Sequence, residues 1–365
     1  MSADHTAPTR RSVLAASAAM AALGLTGRQA LADVPTITGI MPGPFLPEPL
    51  KAPLSGMAGA TLQNSPYISP ADTLAKLLAP GGESRFDVVI SLSDFVRAPL
   101  MGAKAGAEHI LPLDMSLIPN AKSITPLFQK DITVRDGKTY MIPVVWGYDS
   151  VIFNSDKLSP QDPTTQSWKV LFDDRNAGKV AWRDDAQCMI LSAALSQGIA
   201  DPVSMSDSDL NEIGKFLAAK KKNVRTMWSQ FGEAVSLMAS GEVYAMYGWI
   251  PMRAALQKQG LKVTNNWPTD GLLVWSQSGF IPKGSHDVAA AHRIINAMLS
   301  PEYGASLMKE TNYPTTNSTV PSAFSAEDQH RFGLDVASTG QKTYPMKMPA
   351  TMDRWLEVWN TVKAG

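Results

Sequence analysis

Residues 140–158 read YMIPVVWGYDSVIFNSDKL. The stretch is mostly apolar, yet it neither alternates like a half-exposed strand nor repeats at helical spacing. Pro143 and Gly147 punctuate it. The pattern predicts a strand buried on both faces over residues 141–145. The pair Trp146-Gly147 follows, and the chain runs straight on into a second buried strand at residues 151–153. Residues 34–41, 86–90, 243–249 and 272–281 also have strand character. Helical segments lie between them. Ser69-Pro70-Ala71-Asp72 combines a capping serine, a first-turn proline and an acid near the N-terminal dipole. Leu74, Leu77 and Leu78 form that helix's apolar face, and Pro80-Gly81-Gly82 stops it. Ser206 is placed to cap a helix over residues 207–219, ending in the solvated run Lys220–Lys222. A helix over 231–240 ends at Gly241 in the left-handed position. Residues 286–299 and 301–309 are helical. A final helix puts Trp355, Trp359 and Val362 on one buried face. Strands and helices alternating through short loops predict an α/β fold.

Composition supports a large folded chain. Of 365 residues, 44% are apolar and 18% charged, which excludes a disordered protein and suggests two domains. The formal net charge is zero, so nothing marks the chain for nucleic acid. A single cysteine, Cys188, rules out an intrachain disulfide and any paired-cysteine metal site.

The N-terminus points outside the cytoplasm. Arg10-Arg11 precede an apolar stretch over residues 13–25, and Ala30-Leu31-Ala32 supplies a small-x-small cleavage signal. The arginine pair followed by Ser, Val and Leu predicts twin-arginine export, with an ordinary secretory signal as the alternative. Cleavage leaves a chain starting at Asp33 and working in the periplasm. The leader carries three arginines and one aspartate, so the remainder is near −2.

Recognisable catalytic chemistry is missing. Gly81-Gly82 follows a helix rather than a strand, so no phosphate-binding loop is read there. His5, His109, His286, His292 and His330 are scattered without metal-ligand spacing, and GxSxG does not occur. Cys188 sits beside Met189-Ile190-Leu191 and reads as a packing residue. No cofactor and no metal site are expected, and binding is favoured over catalysis.

The opening stretch, Tyr-x-Ile-Pro-x-x-Trp-Gly followed by an apolar strand and Asn154, resembles the periplasmic spermidine/putrescine-binding proteins, the solute-binding subunits of ABC importers. Six further blocks agree in order: Phe86-Asp87-Val88-Val89; Ser167 to Phe172 with Gly178-Lys179-Val180; Arg183-Asp184-Asp185; Ser240-Gly241-Glu242-Val243 through Trp249; Trp267-Pro268-Thr269-Asp270-Gly271; and Tyr313-Pro314-Thr315-x-Asn317. Together they span about residues 86 to 320.

The resemblance implies an α/β, two-lobed periplasmic-binding-protein fold of type II. Each lobe would be a mixed sheet flanked by helices, and crossing hinge strands would join them. Lobe one would hold 33–145 plus 275–315, and lobe two 146–274 plus 316–365, after a signal peptide over 1–32. Trp146-Gly147 would mark the first crossing, glycine serving for its unusual dihedrals, and residues 272–278 the second. It implies capture of a small-molecule solute by hinge closure, a membrane permease of an ABC transporter as partner, and a monomer. By position it implies ligand contacts from Asp185 to an amine, Trp249 and Trp275 as walls, Tyr313 as a polar aromatic, and Ser93, Asp94, Ser229 and Gln277 as further contacts. Two departures stand out. Cys188 and Gln277 occupy places where the family carries carboxylates, so a fully charged polyamine is poorly served. A less charged amine, a quaternary ammonium compound, or a zwitterion meeting Arg183 or Arg97 fits better. The competing readings are an enzyme on the same scaffold with Cys188 as nucleophile, and a ferric-ion binder. The second lacks an adjacent tyrosine pair.

Overall fold

The computed structural model describes residues 34–336 and 339–365; the predicted signal peptide and Asp33 lie outside the described residues. The strands are β1 (Thr36–Ile40), β2 (Thr61–Ser65), β3 (Val88–Leu92), β4 (Thr133–Arg135), β5 (Lys138–Asn154) and β6 (Val180–Arg183). They continue with β7 (Val224–Trp228), β8 (Ala245–Trp249), β9 (Val263–Asn265), β10 (Leu272–Phe280) and β11 (Thr343–Pro345). Their main order is β2-β1-β3-β10-β5-β8-β6-β7, with β11 on β10 and both β4 and β9 on β5.

The pairing has a simple logic. β2, β1 and β3 are mutually parallel, and so are β8, β6 and β7. Two antiparallel strands, β10 and β5, join these triplets. The first half of β5 pairs with β10 and its last residues pair with β8. Asp149 is the position opposed on both sides, by Leu273 and by Trp249. Each triplet has its own core. One gathers Val151, Phe153, Trp168, Trp182, Trp228 and Trp355; the other gathers Ile37, Phe45, Ile90, Trp146, Ile295 and Tyr303. Trp275 packs against both.

The two strands expected on either side of Trp146-Gly147 are a single strand. β5 is one strand of 17 residues, buried without a break from Tyr140 to Phe153. Gly147 is not among the glycines with positive φ. It is glycine because a Cβ there would overlap the ring of Trp275, its partner across the ladder. Pro143 is tolerated because the β5–β10 register slips beside it, where proline has no N–H to donate.

The local signals read from the sequence correspond to formed elements. Ser69 caps the helix Pro70–Leu78 by accepting from Asp72 N–H. Ser206 and Asp209 form a reciprocal capping box on Asp207–Lys220. Gly241, past the helix Phe231–Ala239, has φ 77°. Trp355, Trp359 and Val362 are buried on the helix Met352–Ala364. The helix Glu48–Ala58 is concealed in sequence by Pro49 and Pro53, though Leu50, Leu54 and Ala58 repeat at i, i+4 and are buried.

Candidate functional site

A cleft of about 360 Å³ opens between the two cores. The carboxyl ends of β6 and β8 supply one side of it, where ligands of α/β sheets sit. β6 ends at Arg183. The chain then turns through Asp184, whose N–H donates to Trp228 O, into the helix Ala186–Ser196. Asp185 caps that helix, its Oδ1 accepting from Cys188 N–H at 2.9 Å. β8 ends at Trp249, which projects into the same space.

Arg183 is the centre of the arrangement. Its guanidinium lies 5.2 Å from the Trp249 ring centroid and 5.9 Å from that of Trp228. Its Nη1 is 3.4 Å from Cys188 Sγ and 3.9 Å from Asp149 Oδ2. Asp149 is buried, and its carboxylate accepts from Tyr247 Oη at 2.6 Å and from Trp275 Nε1 at 2.9 Å. Burial pushes the Asp149 carboxyl above the usual carboxylate range, while Arg183, Tyr247 and Trp275 pull the other way. Trp249 Nε1 donates to Tyr313 Oη at 3.0 Å, and the Tyr313 ring sits 6.0 Å from that of Trp275. Burial pushes the Tyr313 phenol up to about 12, so it stays neutral.

Of the residues singled out in the sequence, Asp185, Trp249, Trp275, Gln277 and Tyr313 line this one cleft. Gln277 Oε1 is buried there without a hydrogen-bond partner among the described residues. Ser93, Asp94 and Ser229 are not brought to it. Ser93 and Asp94 begin the helix Ser93–Met101 rather than a loop; Ser93 is fully buried and Asp94 pairs with Arg97 at 3.4 Å. Arg97 also donates to Asp131 O, so its guanidinium is engaged away from the cleft. Ser229 is exposed, its N–H donating to Glu233.

Asp149 is the residue that sequence reasoning missed. Its signal was present: a lone acid inside an oily run must find buried partners. The opposite wall was missed too. It comes from the loop after β1, the segment around Tyr67 and the end of β3.

The comparisons with known proteins agree with this geometry. The model of a family described as bacterial extracellular solute-binding protein matches residues 52–333. The chain belongs to that family. This solute-binding protein is 24% identical over 308 residues to the putrescine-binding periplasmic protein SpuD of Pseudomonas aeruginosa, covering 80% of this chain and 82% of the relative. Its fold is similar to that of the spermidine/putrescine ABC transporter substrate-binding protein PotD from Streptococcus pneumoniae, with a TM-score of 0.76, 17% identity, and coverage of 90% and 99% of the two chains. It is also similar to AgtB of A. tumefaciens R10, solved in complex with agropinic acid, with a TM-score of 0.63, 20% identity, and coverage of 90% and 96%. The fold of the solute-binding protein is therefore of the two-lobed, type II periplasmic class.

An enzymatic reading through Cys188 finds no support in this solute-binding protein. Burial pushes the Cys188 thiol well above its ordinary value. None of the described histidines lines the cleft, and the rings of three are engaged elsewhere: His109 with Glu83, His292 with Asp114 and Val288, His330 with Asp335. Among the described residues no helix is long and apolar enough to cross a membrane, and no group of three His, Cys, Asp or Glu is placed to hold a metal ion.

Proposed function

We propose that this protein is the periplasmic receptor of an ABC importer, exported on a twin-arginine signal. It works as a monomer with a membrane permease, and it captures a small amine-bearing solute that also carries a carboxylate. Lobe one would comprise residues up to 145 with 275–315, and lobe two 146–274 with 316–365. The two separate cores, joined by β5 and β10, support a division into two lobes, although Trp146, Tyr148, Leu272 and Val274 pack in the core with Ile37 and Phe45, which favours a crossing nearer Asp149. Bending of these two strands would close the lobes, and the solute would favour the closed form by touching both walls.

One observation carries the choice of solute: Arg183 and Asp185 line the same cleft, and the Arg183 side chain remains 30% exposed. A guanidinium has five N–H donors in a fork that matches a carboxylate. Asp185 has an oxygen beyond the one spent on its cap and would meet the amine. A quaternary ammonium between the tryptophans would lie beside Arg183 on Trp249, where like charges repel. A diamine would meet the same guanidinium. One relative is named for putrescine, and a neighbour of similar fold was solved with agropinic acid, so proteins of this fold take ligands beyond polyamines.

A thermal-shift comparison of the exported chain with zwitterions, betaines and diamines tests this. A bound solute at a hundred times its dissociation constant stabilises by about 2.7 kcal/mol. Zwitterions are expected to raise the melting temperature most; a larger shift with putrescine or spermidine rejects the role given to Arg183.

A further inference from the structure

The two walls of the cleft differ in chemistry. Its acids and its base, Asp149, Arg183 and Asp185, stand on one side, on β5, β6 and the start of the following helix. The facing wall is mostly apolar, made by Pro42, Phe45, Tyr67, Ile68, Pro70 and Leu92, with Ser69 and the Gln277 amide, opposite Leu92 on β10, as its polar members. Proline nitrogens have no N–H to offer a solute. Ile68 is 74% exposed, an uncovered isoleucine at the cleft. A cleft of about 360 Å³ falls in the range of about 300–1,000 Å³ that holds drug-sized ligands. That exceeds what an amine and a carboxylate alone would fill.

We propose that the solute is amphipathic, with its amine-and-carboxylate head on the Arg183–Asp185 side and an apolar tail against the Pro42–Phe45–Ile68 wall. The proposal rests on the reading of the cleft as a zwitterion site and adds the class of the remainder of the molecule. A second ammonium would be stripped of water against prolines and isoleucine with no carboxylate to receive it, only the neutral Gln277 amide oxygen. An apolar tail gains from the same burial, about fourfold in affinity for each methylene covered. It also covers Ile68 when the lobes close.

Calorimetric titration of the full exported chain tests this with two probe series. One comprises α-amino acids of growing side chain, from glycine through alanine and norleucine to phenylalanine. The other comprises the straight-chain ω-amino acids, with putrescine as the dication. Affinity in the first series is expected to climb with tail length, at least a hundredfold from alanine to the best long-tailed member. The variant Ile68→Asp, at an exposed position, is expected to flatten that climb at least tenfold and to strengthen putrescine binding, with its circular dichroism unchanged. If tailless zwitterions bind as tightly as tailed ones, the tail proposal is overturned and the zwitterion site stands. If no zwitterion of any tail length binds, the underlying reading of the cleft falls, and the proposal falls with it.

Discussion

Trp275 lies with its indole over Gly147, its cross-strand partner, and reaches along β5 to donate Nε1 to Asp149 Oδ1. Gly147 and Asp149 are two residues apart and so share one face of the strand. The missing side chain makes the floor on which the indole rests, and the carboxylate fixes its far end. Gly147→Ala is therefore expected to displace the ring and break that hydrogen bond. We expect a loss of about 1–3 kcal/mol by overpacking and no ligand-induced stabilisation. Chemical denaturation with and without solute measures both; an alanine variant with unchanged ligand response rejects the role assigned to the Trp275–Gly147 contact.

Asp185 has two tasks that substitution separates. Asparagine caps helices about as well as aspartate, so Asp185→Asn retains the bond to Cys188 N–H and changes stability by a few tenths of a kcal/mol. It removes the charge offered to an amine, and affinity is expected to drop at least tenfold. Asp185→Ala loses about 1 kcal/mol of stability in addition. If Asn and wild type bind equally, the Asp185 charge plays no part in recognition.

Cys188 is 2% exposed, and burial pushes its thiol up. Reactivity follows the thiolate, so the folded protein at pH 8 is expected to resist a thiol-specific disulfide reagent and to react stoichiometrically once unfolded in guanidinium. Rapid labelling of the native chain contradicts this environment.

Asp87 links β3, β1 and the start of the helix Val288–Met298. Its carboxylate accepts from Thr38 N–H, Ser285 Oγ, His286 N–H and Asp287 N–H at 2.7–3.2 Å. Burial alone would raise its pKa, but these donors outweigh it and hold the carboxyl below its usual value. The folded pKa is the lower one, so the stability it contributes is complete above about 3.9, the unfolded value, and is lost as pH falls through the folded value. Asp87→Asn is expected to cost about 2–3 kcal/mol near pH 7, a gap that narrows as the pH is taken below 3. Melting curves of both proteins between pH 2 and 7 check it; a gap independent of pH assigns the loss to packing instead of charge.

Short-range signals account for what was legible. The Ser69 and Ser206 caps, the left-handed Gly241 and the Trp355–Trp359 face each depend on residues within a few positions of one another, and each formed as read. The family resemblance supplied five residues that meet in the cleft: Asp185, Trp249, Trp275, Gln277 and Tyr313. Position along the chain could not exclude Ser93 and Asp94, because whether a strand's end turns into a loop or directly into a helix is decided by what packs on it. Nor could it explain Gly147, whose reason lies 128 residues away in Trp275.

By itself the chain's sequence determined the α/β class, several capped helices, the oily run of β5 and the set of chemically unusual residues, since propensity, capping and hydrophobic period act locally. Only the tertiary structure decided the partners of Asp149, drawn from 98 and 126 residues away in Tyr247 and Trp275. It alone also set the prolines on the wall that faces Arg183 and Asp185. Those choices follow from how strands cross between two cores, and burial makes the pairing of a charge obligatory without naming its partner in advance.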